Sequence, residues 1–240
     1  MHNFFDALPP EIREAIDAVS AYKTVAEGEM VLRCGAPTGR LFQVCEGSVM
    51  VCVSDHQGRE SVAAFLKAGD WIGLSEMFTG LPSMSDVVAT APTRLRTIKQ
   101  PDFEALLDRF PTLTRELLRV MSLRFALMYY VEVDRNALTL KERVLKTLYM
   151  LSFSHGKRSG ASTDIVIEMS QEALSKLLGA SRQNLNRALK ELEREQLLAV
   201  GYGAIHLPGL EAIRQHYPYL VDVAQPAPAY GGTPHAAPTA

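Results

Sequence analysis

The spacing of apolar positions changes twice along the chain. A short stretch within the first 20 residues repeats its apolar positions at helical spacing, which predicts a leading helix. From about residue 22 to residue 98, short β-prone runs are separated by glycines. Val49, Val51 and Val53 fall at every second position, and further apolar runs lie at 62–66 and 87–89. Short strands with glycine between them predict a sandwich or a barrel.

A long helix is predicted from about residue 111 to residue 136, because no glycine or proline follows Pro111 in this stretch. It carries two apolar stripes, the first of which is interrupted by Arg124. Two stripes on one helix indicate that one packs on its own domain and the other on a partner. We assign the first to a homodimer seam; the alternative is a helix buried on both sides within one chain. The seam residues are Leu113, Leu117, Val120, Leu127 and Val131, and the second stripe holds Leu118, Met121, Phe125 and Met128.

A smaller domain is predicted after the long helix. The helical pattern breaks around residues 136–140 and resumes at 141–153, and a loop rich in glycine, serine and basic residues follows at 155–162. A strand, two helices separated by Gly179 and a hairpin come next. The predicted division is 1–110 for the strand domain with its leading helix, 111–136 for the long helix, 137–225 for the C-terminal domain and 226–240 for a disordered tail rich in proline and alanine.

Composition and charge narrow the class of protein. The chain has 240 residues, of which 47% are hydrophobic, and a net charge of −2, so any basic surface has to be local. It contains no apolar run of about 18 residues and no signal-peptide pattern in its first 20 residues, which predicts a cytoplasmic protein without a membrane partner. Cys34, Cys45 and Cys52 have no metal-site spacing, and we expect them to be buried in strands.

Residues 170–192 have the pattern of two helices that cross closely around a tight turn. Such a helix-turn-helix needs small or apolar residues at the crossing and a turn residue between the helices. Gly179 supplies the turn, and Ser170 and Ser181 stand at the two N-cap positions. The crossing positions are Leu174, Ser175, Leu178, Ala180, Leu185, Ala188 and Leu189. The strand before this motif and the hairpin after it would make it winged.

The second helix of the motif leaves a polar and basic face exposed. Between residues 170 and 190 there are four basic residues and one acidic residue, Glu172. Arginine matches the acceptors of guanine and an amide matches adenine, whereas a lysine suits a phosphate. The sequence therefore predicts binding to double-stranded DNA; the alternative is the ordinary solvated face of an amphipathic helix. The predicted DNA-binding residues are Ser181, Arg182, Gln183, Asn186, Arg187 and Lys190.

Two other classes of function make different demands on the sequence. An enzyme built on a β-roll metal site needs several histidines and carboxylates on neighbouring strands, but only His56 lies in the strand region. Motifs for a catalytic serine, a phosphate loop or a dinucleotide fold are absent, so we expect no metal, no catalytic residue and no enzyme. A sensor or interaction module that does not bind DNA gives no reason for a basic helix face.

Considered as a whole, the sequence resembles the Crp/Fnr family of transcription regulators, from about residue 8 to residue 213. The resemblance implies an α+β fold with a cyclic-nucleotide-binding-like β-roll (a jelly roll), a long dimerisation helix and a C-terminal winged helix-turn-helix. It also implies a homodimer on a near-palindromic operator, and contact of the 155–162 loop with RNA polymerase during activation. The matching residues are Gly28-Glu29, Cys45-Glu46-Gly47-Ser48-Val49, Gly69-Asp70-Trp71-Ile72-Gly73 and GASRQNLNRALKEL at 179–192.

One residue departs from the family pattern on the recognition helix. The family presents an Arg-Glu-x-x-x-Arg face, which maps onto Arg182, Gln183 and Arg187. A carboxylate at the middle position accepts from cytosine N4, whereas Gln183 prefers adenine or makes an adaptable contact. We therefore expect the half-site to differ from the family's common one at that base pair.

The sensor domain departs further from the cyclic-AMP-binding members of the family. Those members place a glutamate after the pocket glycine and an Arg-Ser pair about ten residues later, whereas here Gly73 precedes Leu74 and the pair reads Met84-Ser85. Because a buried phosphate without a cation is costly, we expect no ordinary binding of cyclic AMP. Glu76 replaces the missing acid only through a shift of register.

The effector itself stays open at this point. Met128 and Tyr129 are bulky residues where the cyclic-AMP binders have small hydroxyl residues. They fill an empty pocket, line one for an apolar or aromatic ligand, or stack on another nucleotide such as a cyclic dinucleotide. No cysteine precedes Cys34, which argues against an iron–sulfur cluster, and the isolated His2 and His56 argue against haem. The predicted pocket comprises Gly73, Leu74, Glu76, Met84, Ser85, Met128 and Tyr129.

Overall fold

Residues 5–6, 8–54, 56–58, 60–158 and 164–221 are described by a computed structural model. The chain divides into two units, His2–Arg124 and Phe125–Ala240, and the division falls within the long helix. The predicted disordered tail and part of the predicted 155–162 loop lie outside the described residues. The four-part division predicted from the sequence stays a prediction.

The first unit consists of short antiparallel strands with helices before and after them. Its strands form two four-stranded sheets, in the orders β1-β8-β3-β6 and β2-β7-β4-β5. The elements are α1 (Pro10–Ala18), β1 (Ala21–Val25), β2 (Met30–Leu32), β3 (Arg40–Glu46), β4 (Ser48–Ser54), β5 (Glu60–Lys67), β6 (Trp71–Ile72), α2 (Leu74–Thr79), β7 (Asp86–Ala89), β8 (Thr93–Lys99) and α3 (Gln100–Arg109). The leading helix and the runs of short strands are confirmed.

Apolar residues from both sheets form the core of this roll. Gly47 joins β3 to β4 at a positive φ of 83°. A Cβ on this residue would lie 2.8 Å from Thr93 Cα and closer still to the Pro92 carbonyl oxygen, so the close approach requires glycine. The core residues are Val25, Val31, Leu32, Phe42, Val44, Val49, Ile72, Val87, Ala89 and Leu95.

The cysteine prediction is correct for one residue only. Cys52 is buried, whereas Cys45 is half-buried and Cys34 is exposed in the segment between β2 and β3. An irregularity between Val51 and Cys52 reverses the alternation of β4, and this turns Cys52 inward and leaves Val53 exposed. The alternating positions Val49 and Val53 therefore differ, since Val49 is buried and Val53 is exposed.

The long helix α4 (Pro111–Ala137) contains the residues of the predicted dimer seam, and the structure changes the assignment of the first three. Leu113, Leu117 and Val120 are only 1%, 1% and 4% exposed within the single chain. On the same side of the helix, Arg124 donates to the Trp71 carbonyl oxygen from both Nη1 and Nη2, each at 3.2 Å. These three apolar residues are already buried within the single chain, so the structure does not leave them free for a partner. Leu127 and Val131 stay predictions.

Most of the second apolar stripe of α4 is exposed, although Met121 is half-buried. Leu118 and Met128 are 67% and 70% exposed, and Phe125 and Tyr129 are also exposed. The stripe lies about 100° around the helix from the buried side, as the residue spacing requires. Contiguous exposed apolar side chains of this size indicate a surface for association.

The second unit is built around a small sheet with the order β11-β12-β10-β9. Its first helix begins with a capping box, in which Thr139 and Glu142 bond reciprocally to each other's backbone nitrogens. The elements are α5 (Leu140–Ser154), β9 (Gly156–Arg158), β10 (Ile165–Ile167), α6 (Gln171–Leu178), α7 (Arg182–Arg194), β11 (Ala199–Gly201), β12 (Ala204–Leu207), α8 (Glu211–His216) and α9 (Pro218–Val221). The predicted break around residue 138, the two helices and the hairpin are confirmed.

Polar contacts with α5 fix the C-terminal end of α7. Lys141 Nζ lies 2.5 Å from Glu195 Oε1, and Tyr217 donates to the other oxygen of Glu195 at 3.0 Å. The hydrogen bond from Lys141, together with the bond from Tyr217, lowers the pKa of Glu195. Tyr219 donates to Glu142 in the same region, and this bond raises the pKa of Tyr219 to about 12. The C-terminal helices therefore hold α5 and α7 together.

Candidate nucleic-acid interface

Serine caps and one glycine define the two helices of the motif. Ser170 Oγ accepts from the Ala173 nitrogen at 3.1 Å, and Ser181 Oγ accepts from the Asn184 nitrogen at 3.2 Å. Gly179 ends α6 in the left-handed region, with φ 60° and ψ 35°. Both caps and the turn occur where the sequence predicts them.

The crossing of α6 and α7 is apolar and closely packed. Ser175 is only 7% exposed, and its hydroxyl donates to the Ala180 carbonyl oxygen at 2.7 Å, so it bonds the helix to the turn. A larger residue in this place would push the two backbones apart. The other buried positions are Leu174, Leu178, Leu185, Ala188, Leu189 and Leu192, which confirms the inward face expected for α7.

The opposite face of α7 presents the predicted DNA-binding side chains to solvent. Arg182, Gln183, Asn186, Arg187 and Lys190 are all exposed. All but Arg182 line a shallow open depression of about 240 Å³, together with Arg194. The sequence analysis did not include Arg194, although it lies seven and four positions after Arg187 and Lys190 and therefore shares their face.

An ion pair at the start of α7 was also not expected from the sequence. Arg182 Nη2 lies 2.8 Å from Glu172 Oε2, across the turn on α6. Arg187 and Lys190 have no acidic partner within 4.0 Å among the residues that the structure describes. Arg182 is therefore held by a carboxylate before DNA binds, whereas Arg187 and Lys190 have no such partner among the described residues.

The hairpin after α7 forms a wing with an aromatic tip. Tyr202 is fully exposed between β11 and β12, beside Gly203. Glu193 Oε1 accepts from the Val200 nitrogen at 2.9 Å, which fixes the base of the wing against the last turn of α7. This bond connects the wing directly to the helix that carries the exposed polar face.

The roll part of the predicted effector pocket is held by its own hydrogen bonds. Gly73 precedes α2 with a φ of 89°, and Leu74 is 2% exposed. Glu76 Oε1 lies 3.1 Å from the hydroxyl of the buried Ser83, which the sequence analysis missed. Glu76 therefore faces the loop after α2 and has a serine as its partner.

Met84 and Ser85 do not supply a phosphate-binding cation. Met84 is 72% exposed, and Ser85 donates its backbone nitrogen to Ser83 Oγ at 3.3 Å. Residues 73–85 contain no lysine or arginine. An anionic ligand at residues 73–85 would have a hydroxyl and backbone groups as hydrogen-bond partners, but no positively charged side chain from this segment.

Arg124 contacts the chain just before this segment, where it has two partners. Besides the Trp71 carbonyl oxygen, it has Asp70 Oδ1 at 4.0 Å. Burial raises the pKa of Asp70 more than Lys67 and Arg124 lower it. The guanidinium of Arg124 therefore serves first to bond α4 to the roll.

Met128 and Tyr129, the helix part of the predicted pocket, belong to the second unit. Both are exposed, and the Tyr129 ring packs edge-on against Phe125 with 4.8 Å between ring centroids. Both residues belong to the exposed apolar surface of α4. Their role in an effector pocket stays a prediction.

Within the described ranges, the structure contains neither a cluster of metal-ligating side chains nor a membrane-spanning helix. No three histidine, cysteine or acidic side chains there come together as ligands for a metal ion. No helix there combines the length and the apolar character that a bilayer crossing requires.

Family models match both parts of the chain in order. The model of the cyclic nucleotide-binding domain matches residues 22–110, and that of the Crp-like helix-turn-helix domain matches residues 142–216. Together they cover more than half of the chain. The chain belongs to the Crp/Fnr family of transcription regulators. It is therefore a DNA-binding regulator with an N-terminal cyclic-nucleotide-binding-like domain, as the sequence analysis expected.

Crp/Fnr relatives match most of the chain at low identity. The transcriptional regulatory protein btr of Bordetella pertussis is 22% identical over 205 residues, which are 85% of this chain and 84% of the relative. The CRP-like cAMP-activated global transcriptional regulator of Mycobacterium tuberculosis is 25% identical over 164 residues, or 68% of this chain and 73% of the relative. These relatives are transcription regulators and none is an enzyme.

Solved Crp/Fnr structures share the fold. The c-di-GMP-responsive global regulator CLP of Xanthomonas campestris superposes with a TM-score of 0.71 at 22% identity, covering 84% of this chain and all of that one. FixK2 of Bradyrhizobium japonicum also gives 0.71, at 21% identity, with 87% and 99% covered. The fold class expected from the sequence is confirmed.

Proposed function

We propose that this Crp/Fnr protein is a homodimer that reads a near-palindromic operator with α7 of each subunit. The observation that carries the proposal is the exposed row of arginine, amide and lysine side chains on α7, which starts at a serine-capped helix end. In a helix-turn-helix, the N-terminal residues of the second helix contact base edges in the major groove. The cytoplasm is the compartment that fits this role.

Each side chain has a role that follows from its chemistry. Arg182 and Arg187 pair with guanine through two parallel hydrogen bonds, and Gln183 and Asn186 pair with adenine. Lys190 and Arg194 lie further along α7 and bind phosphates, which sets the register of the helix on the duplex. Ser181 caps α7 and so holds Arg182 and Gln183 at the groove.

Dimerisation places two copies of α7 one helical turn of DNA apart. The exposed stripe of Leu118, Phe125, Met128 and Tyr129 supports pairing of α4 with its copy in a second subunit. In this proposal, the stripe takes the place of Leu113, Leu117 and Val120, the first three residues of the seam expected from the sequence. Contact of the 155–162 loop with RNA polymerase during activation is part of the same proposal.

Selection of binding sites from random DNA tests the reading face. We expect recovery of an inverted repeat whose half-site departs from the family's common one at the base pair facing Gln183, because glutamine prefers adenine to cytosine. Affinity for the selected site should fall steeply between low and physiological salt. Recovery of the common half-site would contradict the role of Gln183, and weak, salt-independent binding would favour a module that does not act on DNA.

We propose that the roll binds an effector other than cyclic AMP, or acts without one. The lack of any basic residue at 73–85 and the partner-bound Arg124 support this. An apolar or aromatic ligand, or the bases of a cyclic dinucleotide, would contact Met128 and Tyr129.

Thermal unfolding separates these effectors. A ligand present at 100 times its Kd stabilises a protein by about 2.7 kcal/mol, which raises Tm by several degrees. We expect no shift with cyclic AMP, because its phosphate would stay unpaired. Cyclic dinucleotides are measured in parallel. A cyclic AMP shift of several degrees would contradict the proposal.

A further inference from the structure

An ion pair links the two helices of the helix-turn-helix at the exposed face of α7 that we propose contacts DNA. Glu172 is the second residue of α6 and Arg182 is the first residue of α7. Their Oε2 and Nη2 atoms are 2.8 Å apart, with the side chains 55% and 75% exposed. Both residues border a second open depression, of about 230 Å³, together with Asn186. An acidic group therefore stands within the surface that the DNA would cover.

The backbone around this pair is fixed before DNA binds. Ser170 and Ser181 cap the two helices, and the Ser175 hydroxyl bonds α6 to the turn. The carboxylate of Glu172 then favours the rotamers of Arg182 that keep the 2.8 Å contact. The other oxygen of Glu172 lies 4.0 Å from Lys176 on its own helix, which restrains the glutamate in turn.

The chemistry of the guanidinium allows this contact and a base contact together. A carboxylate on Nη2 uses one of five N–H donors, and a pair of donors on another edge stays available for guanine O6 and N7. A DNA phosphate, in contrast, competes with the carboxylate, because both are anions that seek the same cation. A complex with the correct guanine keeps the ion pair, and a non-specific complex through phosphates has to break it.

We infer that Glu172 is a specificity-determining residue, which positions Arg182 for guanine and withholds it from phosphates. This inference rests on the proposed reading of DNA by α7. Exposed ion pairs contribute little in water, but contact with DNA removes water from this one and strengthens it. Glu172 therefore lowers non-specific affinity and supports specific affinity, and both effects raise the ratio between them.

The test is the variant Glu172→Gln, which keeps the size of the side chain and removes its charge. Its binding is compared with that of the parent on the selected operator, on that operator with the guanine facing Arg182 replaced, and on a scrambled duplex. We expect tighter binding to the scrambled duplex and about a fivefold loss of discrimination at the replaced guanine, a part of what one arginine–guanine pair supplies.

Two further variants separate this role from a general charge effect. Glu211→Gln removes the same charge from the same unit, where Glu211 lies 3.7 Å from Arg214. It should leave the discrimination unchanged. In an Arg182→Ala background, Glu172→Gln should also have no effect on discrimination, because the glutamate acts through the arginine.

The outcomes distinguish the inference from the function on which it rests. A parent protein that binds operator and scrambled DNA equally contradicts the proposed function and the inference with it. A specific parent whose discrimination survives undiminished in Glu172→Gln contradicts the inference alone, and a change of Tm without a change of discrimination leads to the same conclusion, because it shows a purely structural role.

Discussion

Truncation of both reading arginines, Arg182→Ala with Arg187→Ala, is expected to abolish selective binding to the operator. Each bidentate arginine–guanine pair supplies about 1–3 kcal/mol of discrimination, and the dimer contains two such pairs in each half-site. The ratio of specific to non-specific affinity should therefore fall by about 1,000-fold or more. Gel-shift titrations on the selected operator and on a scrambled duplex, at one fixed salt concentration, measure this ratio.

A matched pair of arginines in the roll provides the control. Arg33 and Arg109 are also exposed, so Arg33→Ala with Arg109→Ala removes the same charge far along the chain from α7. This control should keep the parent's selectivity. The reading face would be wrongly assigned if the double variant at 182 and 187 folded normally and still distinguished the operator as well as the parent does.

Charges on the exposed stripe of α4 are expected to separate the dimer. Phe125→Glu with Met128→Glu places two carboxylates on a surface that has to be dry in a paired helix, and an unpaired buried charge is strongly unfavourable. We expect a monomer by sedimentation and a loss of operator affinity of about a hundredfold or more, because linkage of two binding modules raises avidity by 10²–10⁴. Each subunit should retain its melting transition, since both side chains are exposed in the single chain.

Val131→Glu distinguishes this stripe from the seam expected from the sequence. Val131 is itself 54% exposed but lies on the side of α4 that Leu113 and Leu117 share. The proposed stripe predicts that this variant stays dimeric at concentrations where the Phe125 and Met128 variant is a monomer. The reverse result would restore the original seam in the C-terminal half of the helix.

Local patterns were sufficient to predict the helix-turn-helix. The N-caps at Ser170 and Ser181, the turn at Gly179 and the inward positions of α7 depend on contacts within about 25 residues of the chain. Such contacts follow from helical period and turn chemistry, and the sequence displays both directly. The same helical period places Arg194 on the face of Arg187 and Lys190, seven and four positions after them.

Contacts between distant segments decided which side of α4 is buried and which residues of β4 face inward. Leu113 and Phe125 are both apolar, so residue type alone does not show which stripe of α4 is buried. Arg124, which donates to the Trp71 carbonyl oxygen, lies on the buried side. In the same way, an irregularity in β4 decides that Cys52 is buried and Val53 is not.

By itself, therefore, the sequence determined the order of the domains, the motif and the chemistry of its exposed face, because these depend on residue type and spacing. Only the tertiary structure decided which side of the long helix is free and that Glu172 holds Arg182, because both depend on how separate elements pack against one another.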